Sequence, residues 1–232
     1  MELNKIEELK TTLKVFISKE KRYECTNMYI TTTDRIIEID WIKDVMRDIC
    51  DKYNVDFNIN TYLLTIWIFD RYMHNFKIEK PEYQLVIVTS LLIAYKYEMY
   101  DLIDIKFCKY ICVKQYSCKQ IRKMEINLLK NINFQLLHQT IWTFVELYIS
   151  INHLEINKNI IDIILNVSND ITILNKYLPS EIAVCSIFIE YDICDFKIKH
   201  HEYNKTNLEI CLDELCIITN KIKDINNFNK CF

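Results

Sequence analysis

The chain has 232 residues, half of them hydrophobic, and a formal net charge of −3, so it can bury a sizeable core but offers no large basic field for nucleic acid or an anionic membrane. It contains no glycine, which excludes the glycine-dependent phosphate cradles of the dinucleotide fingerprint and the P-loop, and also the G-x-S-x-G nucleophile elbow. Only two prolines interrupt the chain, so the composition predicts an all-α protein.

Apolar residues recur at helical spacing through the first half of the chain. Residues 4 to 19 predict one amphipathic helix, and a mostly polar connector follows it as far as residue 33. Asp34 is the predicted cap of the first core helix. Pro81 is expected in the first turn of a nearly all-apolar helix that runs to about Tyr97. The other helices of this half are predicted at 58 to 76, at about 101 to 112, and after Ser117.

The pattern restarts in the second half, where Pro179 stands near the start of an apolar helix as Pro81 does in the first. The only two alanines of the chain, Ala94 and Ala183, fall in these two apolar helices, where small side chains let neighbouring helices approach closely. We therefore predict two helical units, each wrapped around one buried helix, with the join near 135 to 140. Helices of the second half are predicted at 140 to 151, 157 to 174, 178 to 192 and 205 to 223.

The ten cysteines include no C-x-x-C pair, and the opening residues are a mixed polar stretch unlike a signal peptide. Together these features predict reduced thiols in an intracellular protein. The longest apolar run, residues 85 to 94, is too short to span a membrane. Cys194, His200, His201 and Cys211 lie close in sequence but lack a zinc-ligand spacing, so no metal site is expected.

Five motifs, taken in order and spacing, resemble the cyclin family, and most closely its A and B types. They are RIIEIDW at 35–41, IFDRY at 68–72, LLIAYKYE at 91–98, KMEINLLKNINFQL at 123–136 and KYLPSEIA at 176–183.

The resemblance covers residues 30 to 223 and implies an all-α protein of two tandem cyclin-type folds with about five helices each, preceded by an N-terminal helix. The implied domains are an N-terminal helix and connector at 1–33, a cyclin box at 34–137 and a second cyclin fold at 138–232.

A cyclin is a regulatory subunit and not itself an enzyme. The resemblance implies that this chain forms a heterodimer with a cyclin-dependent Ser/Thr protein kinase, activates it in cell-cycle control, and needs no cofactor. It implies residence in the nucleus or cytoplasm, with neither nucleic acid nor a membrane as partner. In the family, a lysine and a glutamate at the positions of Lys96 and Glu125 hydrogen-bond to the kinase backbone. The apolar part of the same contact is expected from Ile93, Tyr97, Phe134 and Leu136.

Two further sets of residues match family positions. Arg35 and Asp70 match an internal salt bridge, so their expected role is structural. Many cyclins also carry a groove that receives an Arg-x-Leu segment of a substrate, and Asp34 and Glu38 stand where that groove has apolar walls. We therefore expect substrates to bind only through a modified groove, and standard Arg-x-Leu peptides to bind poorly. The residues that match the groove are Ile37, Trp41, Asp44 and Gln84.

Several alternatives stay open at this point. Lys96 and Glu125 are also compatible with an ordinary solvated ion pair. The helix face that would form the groove is also compatible with a simply solvated surface. The same fold also serves kinase-independent scaffolds such as transcription factor IIB, and kinases that act in transcription. A viral or parasite cyclin that acts on a host or divergent kinase fits the sequence as well.

Overall fold

The computed structural model describes residues 2–99, 102–191 and 203–221. Within these ranges the chain forms eleven α-helices and one short 3-10 helix, without a strand, which confirms the all-α class. The chain divides into two compact units. We call Cys25–His138 the inserted unit, and we call the combination of Met1–Glu24 with Gln139–Phe232 the flanking unit.

Leaving out residues 100 and 101, the inserted unit contains five α-helices. Its helices are α2 (Thr32–Tyr53), α3 (Ile59–Asn75), the 3-10 helix (Lys80–Glu82), α4 (Tyr83–Glu98), α5 (Ile105–Ile111) and α6 (Cys118–Asn131). The described part of the flanking unit contains six α-helices: α1 (Glu2–Lys19), α7 (Ile141–Ile151), α8 (Lys158–Asn169), α9 (Ile171–Lys176), α10 (Pro179–Tyr191) and α11 (Lys205–Thr219).

Each unit is built around one buried helix, as predicted. In the inserted unit α4 packs against α2, α3, α5 and α6, and in the flanking unit α10 packs against α7, α8 and α11. Ala94 of α4 and Ala183 of α10 are both fully buried, in agreement with the expectation of close helix packing at the two alanines.

Polar side chains set the helix starts, and they correct two predictions. The cap of α2 is Thr31, whose hydroxyl oxygen accepts the Asp34 N–H at 3.1 Å, so Asp34 lies in the first turn and is not itself the cap. Asp170 divides the single helix predicted at 157 to 174 into α8 and α9, because its carboxylate accepts the backbone N–H groups of Thr172 and Ile173.

Two further helix starts differ from the prediction. Pro81 lies in the 3-10 helix, and α4 begins two residues later at Tyr83. The helix expected from about residue 101 begins at Ile105, where the Asp104 carboxylate caps it by accepting the Phe107 N–H at 2.7 Å. The predicted helix limits at 101, 192 and 223 lie outside the described residues.

The flanking unit joins α1 to helices that come more than a hundred residues later. α1 packs against α7, and its Leu13 is buried. Just beyond α1, the Glu20 carboxylate accepts hydrogen bonds from the Ser180 backbone N–H at 3.1 Å and from the Ser180 hydroxyl at 2.7 Å, at the start of α10. Burial raises the pKa of Glu20, and the hydrogen bonds from Ser180 oppose that shift.

None of the eight cysteines in the described parts of the chain forms a disulfide, and five of them are buried. Burial raises the pKa values of Cys25, Cys108 and Cys112 to about 12, so these thiols stay protonated near neutral pH. No helix among the described residues is long and apolar enough to cross a membrane.

Candidate functional site

Lys96 and Glu125 come together at the surface of the inserted unit. The Lys96 ammonium lies 2.6 Å from the Glu125 Oε1 atom, across 29 positions of sequence. Lys96 lies in the last turn of α4, and Glu125 lies near the middle of α6. Both side chains keep contact with solvent, so the pair is accessible to a partner.

The packing of α6 on α4 fixes this pair. A capping box starts α6, in which the Ser117 hydroxyl accepts the Gln120 N–H and the Gln120 side chain accepts the Ser117 N–H. From that start, Ile121, Met124 and Leu128 form the buried stripe of α6, which packs against α4. Glu125 follows Met124 directly and therefore lies at the edge of this contact.

The pair retains capacity for further hydrogen bonds. An ammonium group has three N–H donors, and Lys96 uses one of them on Glu125. A carboxylate has two acceptor oxygens, and Glu125 uses Oε1 for Lys96. The two side chains together therefore present a donor and an acceptor, which is the combination that a peptide backbone requires.

Exposed apolar side chains also lie on the inserted unit, after the end of α6. Phe134 is 65% exposed and has a φ of 58°, and Asn133 before it also has a positive φ. These two left-handed residues close the turn through the bond from the Phe134 N–H to the Leu129 carbonyl at 2.8 Å. Leu136, two residues after Phe134, is half-buried. Tyr97, in the last turn of α4, is also exposed.

Leu137 is an exposed apolar residue that the sequence analysis missed. It is 81% exposed, more than either Tyr97 or Phe134. The sequence held a weak signal, since Leu137 comes after the last helical residue of α6 and before the boundary of the inserted unit. Periodicity cannot show which of two adjacent leucines outside a helix faces solvent.

Ile93 was expected to contribute to the apolar part of the contact with a partner. Ile93 is only 2% exposed, because the side chains of α4 are covered nearly all round by the neighbouring helices. In this chain by itself, Ile93 therefore packs in the core of the inserted unit.

The four residues expected in a docking groove lie on α2 and α4. Ile37 is exposed, whereas Trp41 and Gln84 are half-buried. Asp44 is exposed and pairs with Arg47 one turn later, at 3.2 Å. Ile37 and Trp41 therefore offer apolar side chains to the expected groove, and Asp44 lies on a solvated side of α2.

The two carboxylates that depart from the family pattern have different surroundings. Asp34 accepts a hydrogen bond from Lys80 at 2.5 Å, and this bond is the main cause of its lowered pKa. Glu38 is half-buried, and burial, reinforced by the neighbouring Asp34, raises the pKa of Glu38 to about 7. A carboxyl group that is partly neutral at physiological pH therefore stands on this side of α2.

Among the described residues, no group of three or more His, Cys, Asp and Glu side chains is arranged to hold a metal ion. Three of the four residues considered for zinc, Cys194, His200 and His201, lie outside those residues, and Cys211 is a buried free thiol.

Comparison with known proteins gives a consistent result. Residues 5–137 match the family model "Cyclin, N-terminal domain". Cyclin-A2-4 of Arabidopsis thaliana is 28% identical over 172 residues, which are 72% of this chain and 36% of that protein. The G2/mitotic-specific cyclin-B of Patiria pectinifera is 40% identical over 109 residues, which are 46% of this chain and 25% of that protein. The matched region thus spans about a quarter to two-fifths of the length of these curated relatives.

Among solved structures, a viral cyclin from herpesvirus saimiri matches with a TM-score of 0.65 and 15% sequence identity. The match covers 97% of this chain and 98% of the viral chain. At this identity the likeness shows the fold, and it extends over both units of the chain.

Proposed function

The chain belongs to the cyclin family, and from that premise we propose that it is a regulatory subunit that binds and activates a cyclin-dependent Ser/Thr protein kinase in cell-cycle control. The chain itself carries no catalysis in this proposal. The kinase is its heterodimeric partner, and both act in the nucleus or cytoplasm. The cyclin box is assigned to residues 34–137 and the second cyclin fold to residues 138–232.

Activation in this proposal is a shift of population. A protein kinase is active when its strand lysine pairs with the glutamate of a movable helix. A subunit that binds the inward position of that helix more tightly than the outward position raises the active fraction by its difference in affinity. The chain therefore needs a surface that binds the kinase backbone next to the kinase's movable helix. It does not need a site that contacts the substrate.

The observation that carries the proposal is the Lys96–Glu125 pair on the inserted unit, which also exposes Phe134 and Leu137. The free donors of Lys96 suit a backbone carbonyl, and the second oxygen of Glu125 suits a backbone N–H. Tyr97, Phe134 and Leu137 supply apolar area, and aromatic side chains are frequent anchors in interfaces. Ile93 offers little area to this contact in the chain by itself, because it is only 2% exposed.

The experiment is an affinity pull-down of the tagged chain from its native cell, with bound proteins identified by mass spectrometry. The wild type is compared with the double variant Lys96→Ala with Glu125→Ala. The matched control is Asp40→Ala with Lys43→Ala, which removes another ion pair at the surface of the same unit. Circular dichroism is used to check that the wild type and both double variants keep their helicity.

We expect the wild type and the control to recover a kinase and to activate it on a short peptide substrate. The Lys96/Glu125 variant is expected to lose both properties. Recovery of the kinase at wild-type level by the folded double variant would refute the assigned roles. Recovery of transcription machinery without any kinase, together with salt-dependent DNA binding, would instead favour the scaffold function.

A further inference from the structure

Two buried thiols face each other between α10 and α11 of the flanking unit. Cys185 lies in α10 and Cys211 lies in α11, 26 positions apart in the sequence. Both side chains are fully buried, and neither forms a disulfide in the structure. The two helices pack directly against each other. The Lys96–Glu125 pair belongs to the inserted unit, so the proposed kinase contact makes no use of these thiols.

Hydrogen bonds connect the two thiols. The Cys185 S–H donates to the backbone carbonyl of Leu208 in α11, with 3.5 Å between the Sγ atom and the oxygen. Cys211 follows Leu208 by about one helical turn, and its side chain is hydrogen-bonded to Cys185. Since the Cys185 hydrogen already serves Leu208, the Cys211 S–H is the donor of this second bond and the Cys185 sulfur is its acceptor. The two sulfur atoms are therefore direct neighbours.

Two adjacent thiols can bind a soft metal ion or form a disulfide, and the surroundings favour the disulfide. A structural zinc site needs a full tetrahedral set of ligands. Within the part of the chain that the structure describes, no group of three or more metal-binding side chains includes this pair. A disulfide needs only the two sulfurs, joined by a bond of about 2.05 Å.

Burial determines when the pair can react. Burial is the main cause that raises the pKa of Cys211 well above its ordinary value, and the hydrogen bond to Cys185 acts in the same direction. The closed structure therefore holds a protonated thiol that is shielded from oxidants in solution. Oxidation requires α11 to separate locally from α10, and local openings of this kind cost less free energy than global unfolding.

Of the two helices, α11 is the one placed to open. α10 packs against α7, α8 and α11, and its side chains are buried nearly all round. α11 packs against α8 and α10, and it exposes Ile210 and Ile217 on its outer side. Movement of α11 therefore breaks fewer apolar contacts than movement of α10.

We propose that Cys185 and Cys211 form a redox-sensitive lock, in which a hydroperoxide oxidises the pair to a disulfide that ties α11 to α10, and a dithiol reductant releases it. The lock goes beyond the proposed function and does not rest on it.

The chemistry of the lock needs only the two thiols and one peroxide molecule. The first sulfur attacks the peroxide as its thiolate, so that an S–O bond forms, the O–O bond breaks and one water leaves with the thiol proton. The second sulfur attacks the resulting sulfenic acid, so that an S–S bond forms, the S–O bond breaks and a second water leaves. In sum the two cysteines lose two electrons and two protons, and hydrogen peroxide is reduced to two water molecules.

The direct test is peptide mapping of the oxidised full chain. The wild type is treated with hydrogen peroxide, its remaining thiols are blocked with iodoacetamide, and disulfide-linked tryptic peptides are identified by mass spectrometry. We expect a link between Cys185 and Cys211 that dithiothreitol removes. It should form several times faster at a low, non-denaturing urea concentration, because urea favours states that expose more surface.

Thermal unfolding followed by circular dichroism measures what the bond does. The disulfide restricts the unfolded chain, so the melting temperature of the oxidised wild type should exceed that of the reduced wild type by about 5–10 °C. Cys185→Ala with Cys211→Ala should abolish this difference. The matched control is Cys108→Ala with Cys112→Ala, which removes two other buried thiols, in the inserted unit, and should keep the difference.

The comparison of oxidised with reduced wild type needs no variant, so a variant that fails to fold leaves the proposal testable. Absence of a Cys185–Cys211 link after peroxide treatment would overturn the proposal, as would peroxide-induced links among other cysteines in its place. A Cys185–Cys211 link that leaves the melting temperature unchanged or lowers it would show that the bond does not lock α11, and would overturn it as well.

The urea dependence tests the route to the bond. Oxidation that proceeds at the same rate with and without urea would contradict the opening of α11 as the required step.

Discussion

Arg35 and Asp70 form a buried ion pair with two parallel hydrogen bonds, from Nε of Arg35 to Oδ1 at 2.8 Å and from Nη2 to Oδ2 at 2.7 Å. Neither side chain is more than 1% exposed. The pair ties α2 to α3 in the interior of the inserted unit. Its geometry is that of a structural element and not of a surface offered to a partner.

Removal of either member of this pair should destabilise the inserted unit strongly. Arg35→Ala or Asp70→Ala leaves one charge buried without its partner, which typically costs about 3–5 kcal/mol. Urea denaturation followed by circular dichroism measures the loss of unfolding free energy. Arg35→Lys should also be destabilising, since an ammonium cannot make both parallel bonds. A change below about 1 kcal/mol in the alanine variants, the range of exposed pairs, would show that the pair is not structural.

Ile93 and Leu137 should respond in opposite ways to the same change. Ile93→Ala opens a cavity around α4 and should cost about 2–5 kcal/mol of unfolding free energy. Leu137→Ala should leave stability nearly unchanged, because the side chain is already exposed, and it should weaken kinase binding by a factor of several.

The two readouts are the urea midpoint and the affinity for the kinase recovered in the pull-down. If Ile93→Ala kept full stability but lost kinase binding, Ile93 would be a contact residue after all. If Leu137→Ala bound the kinase with wild-type affinity, Leu137 would not be a contact residue.

Glu38 should make stability depend on pH. Its carboxyl has an ordinary pKa of 4.5 in the unfolded chain and a pKa of about 7 in the folded chain, so the folded chain keeps a proton that the unfolded chain releases in this interval. Stability therefore falls as pH rises from 4.5 to 7. Glu38→Gln should be neutral at pH 5 and should stabilise the chain by about 1–2 kcal/mol at pH 8.

Urea denaturation at pH 5 and pH 8 tests this prediction. The matched control is Asp51→Asn, which neutralises an exposed carboxylate on the same helix and should show no such difference. An equal effect of Glu38→Gln at both pH values would contradict the prediction.

Standard Arg-x-Leu peptides should bind poorly to this chain. A leucine side chain inserted beside Asp34 and Glu38 would bury their carboxyl groups further, which is costly without a hydrogen-bond partner. Isothermal calorimetry should detect no low-micromolar binding to the wild type. The double variant Asp34→Met with Glu38→Leu replaces both carboxylates by apolar walls and should gain affinity. Low-micromolar binding by the wild type would show that the groove has kept its family specificity.

Much of the fold follows from the sequence, since the helical spacing of apolar residues and the residues that cap helices are both local features of the chain. Ser117 and Gln120 are recognisable as a start signal, and the run around Ala94 is recognisable as a buried helix. Thr31 was missed as a cap because Thr31, Thr32, Thr33 and Asp34 all carry side chains able to cap a helix, so sequence alone gives several starts.

The candidate site was less predictable, because it depends on tertiary contacts. The pairing of Lys96 with Glu125 could be anticipated only from family positions. The burial of Ile93 depends on how four helices surround α4, and the exposure of Leu137 depends on the turn at Asn133 and Phe134. Neither the burial of Ile93 nor the exposure of Leu137 can be read from the spacing of apolar residues in the sequence.

The division of the chain also has a consequence for its synthesis on the ribosome. α1 is made before the inserted unit, but α7, which packs against it, and the Ser180 backbone held by Glu20 emerge only after the whole inserted unit has been translated. At the usual rate of translation this interval lasts on the order of ten seconds. During that time α1 lacks its packing against α7, while the inserted unit is already complete and free to fold.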